Sequence, residues 1–380
     1  MDARHHFLKD ALDERRELGR FRELRTVPAR GDILNFSSND YLSLASHPAL
    51  RSAAISYTEM YGTGSTASRL ISGNYGWHEQ LETRLAGFFG HEAALLFNSG
   101  YQANISIIQA LANRDTVLLY DRLNHNSLIQ GARLSGAKLL RYNHCDTGHL
   151  QELLAREDVR SAPRRIIVSE SVFSMDGDRA PVDSLINLAR ENSALLMIDE
   201  AHAIGIAGDE GQGLAGRRDG IDIYLATFGK AAGGFGAFVC CSRLMRDYLI
   251  NFASGFIYTT ALPPAVTGAA AAALDLFPQL SAEREHVRNC SEQLIAGLNK
   301  AGIDTLASDS HIVPVMVGDE QVTLALSDAL RVQGMHVVAI RPPTVSEGKC
   351  RLRISLTANH SAGDISRLIN AIENWFHENQ

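Results

Sequence analysis

The sequence predicts an α/β protein: a mostly parallel central sheet with helices on both faces, plus a smaller C-terminal α/β domain. Three observations predict it. From residue 93 onward, short apolar runs alternate with helical patterns. Those runs are rich in Val, Ile and Leu with little polar alternation, as in strands covered on both faces. After Pro263-Pro264 the pattern changes to long helices and then to a second, shorter alternation of strands and helices. At 380 residues the chain exceeds one small core, and 45% hydrophobic with 21% charged residues is a globular composition.

The chain opens on MDARHHFLKDALDERRELGRFREL, polar and helical in pattern. It has no apolar core and so reads as neither signal peptide nor membrane anchor. This N-terminal segment is expected to span 1–38, a large domain 39–275 and a small C-terminal domain 276–380. In the large domain the expected strands are AALLFNSG, TVLLYD, KLLRYNH, RRIIVSESV, ALLMIDEAH, IDIYLATFG and GGFGAFVCCS, with helices from about Tyr101 and around Ser127 to Ser135. In the small domain HIVPVMVGD, HVVAIRPPTV and CRLRISLTA alternate with helices near QVTLALSDALRVQG and DISRLINAIENWF.

A net charge of −7 and a pI near 6.1 argue against a nucleic-acid surface. The five cysteines are odd in number, irregularly spaced and without a CxxC pair. That pattern predicts a reduced, cytoplasmic protein with no structural metal.

Functional groups in such sheets gather at the carboxyl ends of strands. There ALLMIDEAHAIG delivers Asp199-Glu-Ala-His202, a segment an ATPase could use to hold Mg²⁺. An ATPase also needs a GxxxxGK[ST] phosphate loop. The Gly-Lys pairs here, Gly229-Lys230 and Gly348-Lys349, lack both the upstream Gly and the following Ser/Thr.

Lys230 gives the segment another meaning. ATFGKAAGGFG ends an apolar strand on a lysine with small residues after it, which should let a bulky group approach the backbone. A desolvated lysine can form a Schiff base. Pyridoxal phosphate needs such a lysine, a carboxylate for its pyridine nitrogen and backbone N–H groups for its phosphate. Lys230, Asp199 and the NSGYQAN turn supply these in chain order, and His125 in DRLNHNS lies at a turn where its ring could stack on the cofactor.

FNSGYQAN, DRLNHNSL, ESVFSMDGDRAPV, IDEAH and TFGKA together resemble the α-oxoamine synthases, from about residue 10 to the C-terminus. These are pyridoxal phosphate enzymes of aminotransferase fold type I. They condense an amino acid with an acyl thioester and lose CO₂. Within the family, LNFSSNDYLSL, YGTGSTASRLISGN, FIYTTALPPA and VVAIRPPTV are most similar to members that join L-alanine to a pimeloyl thioester on the way to biotin.

The resemblance implies a role for each matching residue. Lys230 carries the cofactor, Asp199 pairs with its pyridine nitrogen, His202 and Ser174 lie near its phenolic oxygen, and His125 stacks on the ring. Ser99, Gly100, Tyr101 and Thr227 surround the phosphate. Thr259 reaches the phosphate of a neighbouring subunit, so a homodimer is implied. Asn39 and Arg353 hold the amino-acid carboxylate. Alternation puts Arg351 on the same strand face as Arg353, and the family match alone selects Arg353. Arg22 and Arg341 are candidates for the acyl end, although Arg22 also suits a solvated helix face. Glu200 is expected to stay outside the chemistry. Ala203 stands where the family commonly has Gly.

Other readings are a sister condensation such as the 2-amino-3-ketobutyrate ligase reaction of glycine with acetyl-CoA, a plain aminotransferase, and a non-catalytic partner subunit. The last usually lacks the lysine. The acyl donor, pimeloyl-CoA or a pimeloyl-acyl carrier protein, stays open.

Overall fold

A computed structural model of the chain describes residues 3–24, 26 and 33–379. The chain divides into two compact units, one of residues 1–38, 175–177 and 287–380, the other of 39–174 and 178–286. Residues 25 and 27–32 of the expected N-terminal segment lie outside the described residues. The division at 286/287 falls inside the single helix Ser281–Lys300, where the sequence reading divides the chain at 275/276.

In the first unit, helix α1 (His6–Glu17) buries none of its residues. Strand β1 (Leu34–Asn35) pairs in parallel with Met335–His336. Phe36 accepts a hydrogen bond from Ser355 N at 2.7 Å and stacks on His360.

The second unit is built on a sheet of β2 (Ala93–Phe97), β3 (Thr116–Asp121), β4 (Lys138–Tyr142), β5 (Arg164–Glu170), β6 (Leu195–Asp199), β7 (Ile223–Thr227) and β8 (Ala237–Cys241). Their spatial order is β2-β8-β7-β6-β5-β3-β4. From β7 to β4 every pairing is parallel, whereas β8 runs antiparallel to both β7 and β2. The reason is the connection: residues 228–236 are too few for the crossover that parallel strands need. That tight connection is the one that carries Lys230.

Helices α2 (Pro48–Tyr61) and α3 (Gly76–Phe89) precede the sheet, and α4 (Gly100–Leu111) and α5 (Asn126–Ser135) follow β2 and β3. Proline at the first position of α2 costs no helical hydrogen bond. Leu95, Phe97, Ile107, Leu118, Val168, Met197, Leu225 and Val239 form one buried core beneath α4 and α5. Covered on both faces, β2 and β8 are buried at every residue, which is why their sequence shows no alternation.

The first unit is completed by β9 (Ile312–Gly318), β10 (Met335–His336), β11 (Val338–Ile340) and β12 (Cys350–Ser355). They are accompanied by helices Glu320–Val332 and Ala362–Glu378. β12 lies between β11 and β9, antiparallel to both, and is buried along its whole length. No helix among the described residues is long and apolar enough to cross a membrane.

Candidate active site

The site in the second unit is assembled from turns that follow strands. β2 runs into Ser99, whose Oγ accepts from Gln102 N and caps α4. The first-turn N–H groups of that helix, at Gly100 and Tyr101, have no intrahelical carbonyl to bond and form a natural anion seat. Thr227 ends β7 beside them: a Cβ on Gly100 would stand 3.8 Å from the Thr227 Cβ. The Thr227 hydroxyl donates to Gly236 O and accepts from Gly229 N, which fixes the turn leading to Lys230. Tyr101 is half exposed.

Lys230 Nζ lies 2.6 Å from His202 Nε2. His202 is buried, and its Nδ1 is 2.6 Å from the hydroxyl of the fully buried Tyr41. Tyr41 donates its hydrogen to Asn39 Oδ1 at 3.1 Å. With that hydrogen spent, the Tyr41 oxygen accepts from His202 Nδ1, and the bare Nε2 is left to accept from Lys230. Sequence reasoning placed Asn39 and His202 separately and missed Tyr41, which joins them. Its only signal was its place in the LNFSSNDYLSL match.

Asp199 ends β6. One carboxylate oxygen accepts from Ala201 N at 2.9 Å and the other from Asn104 Nδ2 at 2.7 Å. Glu170, at the end of neighbouring β5, is the register partner of Asp199. Burial and the Asp199 charge push Glu170 up to about 8, against the pull of Lys230. Its carboxyl oxygen accepts from His125 N at 2.5 Å and so holds the turn that carries that ring. Burial pushes the His125 imidazole below its ordinary value; Asp199 opposes this shift and Lys230 adds to it. Glu170 is a further residue that sequence reasoning missed, since a single Glu inside an apolar strand end gives no pattern.

Other expected residues lie in the same unit. Ser174 is buried in the turn after β5. Thr259 Oγ1 accepts from Asn98 Nδ2 at 3.1 Å, next to Ser99. Glu200 is fully buried and spends its carboxylate on Leu214 N and Ala215 N, with burial pushing it up to about 7. Gly213 makes room for it, because a Cβ there would stand 1.9 Å from Glu200 Oε2. Ala203 is completely buried, and its φ is not among the positive ones, so the backbone does not require glycine there.

Several of the small residues after Lys230 serve the packing of the chain itself. Ala231 and Ala232 are buried core, and Gly233, at φ +62°, packs against the backbone of Leu44 and Ala45, 2.4 Å from where its Cβ would be. The chain itself is what approaches closely.

A second cluster joins two site turns. His144 Nδ1 lies 2.9 Å from Asp121 Oδ1, at the head of the His125 turn, and Nε2 lies 2.5 Å from Asp178 Oδ2, in the segment that follows Ser174. Burial alone would depress this imidazole, but the two carboxylates overcome it and push His144 up to about 12. Cys145 Sγ is close by, and Asp121, His144 and Cys145 offer donor atoms within reach of one metal ion. Both ring nitrogens, however, already serve carboxylates.

Arg22, Arg341 and Arg353 belong to the first unit. Arg22 is exposed and donates to Thr344 Oγ1 at 3.1 Å, and Arg341 donates to Gly19 O. Both line a cavity of about 810 Å³ whose walls also include Arg20, Phe21, Leu324 and Arg331. Arg351 and Arg353 are both buried, at 6% and 7% exposure. Arg351 is taken by Asp176, while Arg353 Nη1 donates to Ser355 Oγ at 2.6 Å.

The donor set of the second unit fits pyridoxal phosphate. It offers a primary amine, a buried carboxylate with two orienting donors, an imidazole and the free N–H groups of a helix start.

Comparison with known proteins agrees. Residues 31–372 match the family model described as aminotransferase class I and II. A putative 8-amino-7-oxononanoate synthase of Desulfosudis oleivorans is 46% identical over 97% of this chain and 98% of its own. The 8-amino-7-oxononanoate synthase of Geobacter sulfurreducens is also 46% identical, over 95% of each chain. Among solved structures, serine palmitoyltransferase from S. paucimobilis with a bound PLP–myriocin aldimine superposes with a TM-score of 0.91 at 26% identity, covering 99% and 98% of the two chains. The 8-amino-7-oxononanoate synthase of Francisella tularensis gives 0.80 at 28% identity over 91% and 98%. The chain belongs to the aminotransferase class I and II family, in the branch that holds the 8-amino-7-oxononanoate synthases.

Proposed function

We propose that the chain is a pyridoxal phosphate-dependent acyltransferase that condenses L-alanine with a pimeloyl thioester. The products are 8-amino-7-oxononanoate, CO₂ and a free thiol, in biotin biosynthesis. The observation that carries the reading is the Lys230–His202 contact beside Asp199 and His125, in a chain matched nearly end to end by relatives named for that product.

Bound at Lys230, pyridoxal phosphate supplies an electron sink for the bond-breaking at the amino acid's Cα. The residues do the rest. Lys230 would take the α-proton of the amino acid and later return one. His202 orients the lysine through its bare Nε2, and Tyr41 and Asn39 hold that tautomer. Asp199 keeps a proton on the ring nitrogen. His125 covers the ring face and steers protons, and Ser174 sits by the phenolic oxygen. Ser99, Gly100, Tyr101 and Thr227 hold the phosphate, and Thr259 reaches the phosphate of the neighbouring subunit in a homodimer. Arg353 grips the alanine carboxylate in the bidentate manner a guanidinium allows, aided by Asn39. Arg22 and Arg341, on the wall of an arginine-rich cavity with apolar patches, take the anionic acyl end, delivered by CoA or an acyl carrier protein. The enzyme works in the cytoplasm.

A panel assay of thiol release tests the reading. Alanine with pimeloyl-CoA or pimeloyl-acyl carrier protein should be turned over far faster than glycine with acetyl-CoA. The reverse preference would replace the proposal with the sister 2-amino-3-ketobutyrate activity.

A further inference from the structure

We propose that Asn104 is a positioning residue that ties Asp199 to His125 through Ser127 and thereby sets His125 as the Nε2–H tautomer. The proposal rests on the cofactor reading only in what Asp199 and His125 are positioned for.

Asn104 is 2% exposed, one helical turn past Gly100 on α4. Its carboxamide carries two N–H bonds, and both are spent. One goes to Asp199 Oδ2 at 2.7 Å and the other to Ser127 Oγ at 2.9 Å. The reversed amide would aim its oxygen at a carboxylate oxygen and lose the first bond. The orientation shown is kept even though it leaves Asn104 Oδ1 buried with no hydrogen-bond partner among the described residues, which is itself unfavourable.

The consequence runs outward along the chain of bonds. Ser127 has a single hydroxyl hydrogen. Because Asn104 donates to its oxygen, that hydrogen is free for His125 Nδ1, 2.7 Å away. The Ser127 backbone N–H points at the same nitrogen from 3.3 Å. A ring nitrogen that meets two donors is an acceptor, so the neutral ring carries its proton on Nε2. One amide thus orients both the carboxylate assigned to the cofactor's ring nitrogen and the imidazole assigned to its face. Asp199 is also held by Ala201 N and the His125 turn by Glu170; Asn104 adds the side-chain link between the two groups.

The experiment is ¹⁵N NMR of histidine-labelled protein, both free of cofactor and loaded with it, for wild type, Asn104→Ala, Ser127→Ala and Ser127→Thr. The wild type should show the Nε2–H tautomer of His125 in both forms. Asn104→Ala and Ser127→Ala should shift His125 to a mixture, and Ser127→Thr, which keeps the hydroxyl, should restore it. In the same series Asn104→Ala should weaken pyridoxal phosphate binding roughly tenfold or more, the loss of one bond to a charged partner. Should Asn104→Ala fail to fold, the two Ser127 variants still decide. Wild-type-like His125 shifts in both alanine variants, or in Ser127→Ala alone if Asn104→Ala does not fold, would overturn the proposal. A wild type that bound no cofactor at Lys230 would instead remove the cofactor reading, and the tautomer measurement would still decide the role of Asn104.

Discussion

Lys230 Nζ sits 2.6 Å from His202 Nε2, and His202 is held in place from its far side by Tyr41. The lysine is therefore aimed by a neighbour rather than left to swing. Lys230→Ala should abolish turnover. Borohydride reduction of the loaded wild type should fix the cofactor on Lys230, as read by peptide mass spectrometry. A label on another lysine would defeat the assignment. Tyr41→Phe keeps the ring but removes the hydroxyl that fixes His202, and should lower kcat by roughly tenfold. An unchanged kcat would mean that the tautomer does not matter.

Arg353, rather than Arg351, is the arginine proposed to hold the alanine carboxylate. Arg351 pairs with Asp176, and Arg353 Nη1 donates to the Ser355 hydroxyl at 2.6 Å. Arg353→Ala should raise KM for alanine by about tenfold to a hundredfold, the worth of a charge-assisted contact. Arg353→Lys should recover little, because an ammonium cannot make the bidentate grip. Steady-state kinetics at saturating acyl donor checks both.

Two histidines should give pH dependences of opposite sign. Burial lowers His78 from 6.5 to about 4, so the unfolded chain holds the proton over that interval and the folded one does not. Stability is then fully present above pH 6.5 and falls as pH drops toward 4, by at most about 3 kcal/mol. His144 is raised to about 12. Its contribution is complete below pH 6.5 and is lost as pH rises toward 12. Urea melts of His78→Phe and His144→Gln against wild type across pH 4 to 10 would separate the two slopes. NMR should find the His144 ring still doubly protonated at pH 9.

Glu170 adds a third slope. Its carboxyl rises from 4.5 to about 8, so folding is disfavoured progressively as pH climbs through that range. Glu170→Gln, which mimics the neutral acid and can still accept from His125 N, should flatten the slope and leave stability below pH 5 nearly unchanged.

Gly213→Ala should destabilise the fold by roughly 3 kcal/mol or more. It adds a methyl 1.9 Å from Glu200 Oε2 at a φ of +84°. Glu200→Gln together with Gly213→Ala should rescue little, since the clash is steric. Thermal unfolding of both variants measures this.

The strands of the second unit were legible because burial on both faces removes polar alternation. The run IDIYLATFG announced β7, and GGFGAFVCCS announced β8. The antiparallel direction of β8 was not legible from apolar runs. It follows from the shortness of 228–236, which is a length argument rather than a pattern argument. Lys230, Asp199, His125 and His202 stood out because each is polar where an apolar strand ends. Asn104 and Tyr41 did not, because their meaning lies in partners 95 and 161 positions away. No local signal distinguishes a buried asparagine in a helix from a solvated one. The arginines of β12 were legible as a pair but not individually, since alternation puts both on one strand face.

Glu170 and Asp199 end adjacent parallel strands in register, two buried acids side by side. Burial and the Asp199 charge push Glu170 up to about 8, and a cation held against Asp199 would weaken the second of these causes. On the proposed placement, the cofactor's protonated ring would supply that cation and would stabilise the second unit as well as serve its chemistry. Heat resistance and cofactor occupancy become two readings of one equilibrium, and the melting temperature should climb with added pyridoxal phosphate. A cell short of that vitamin would then hold a softer protein, as well as an idle one.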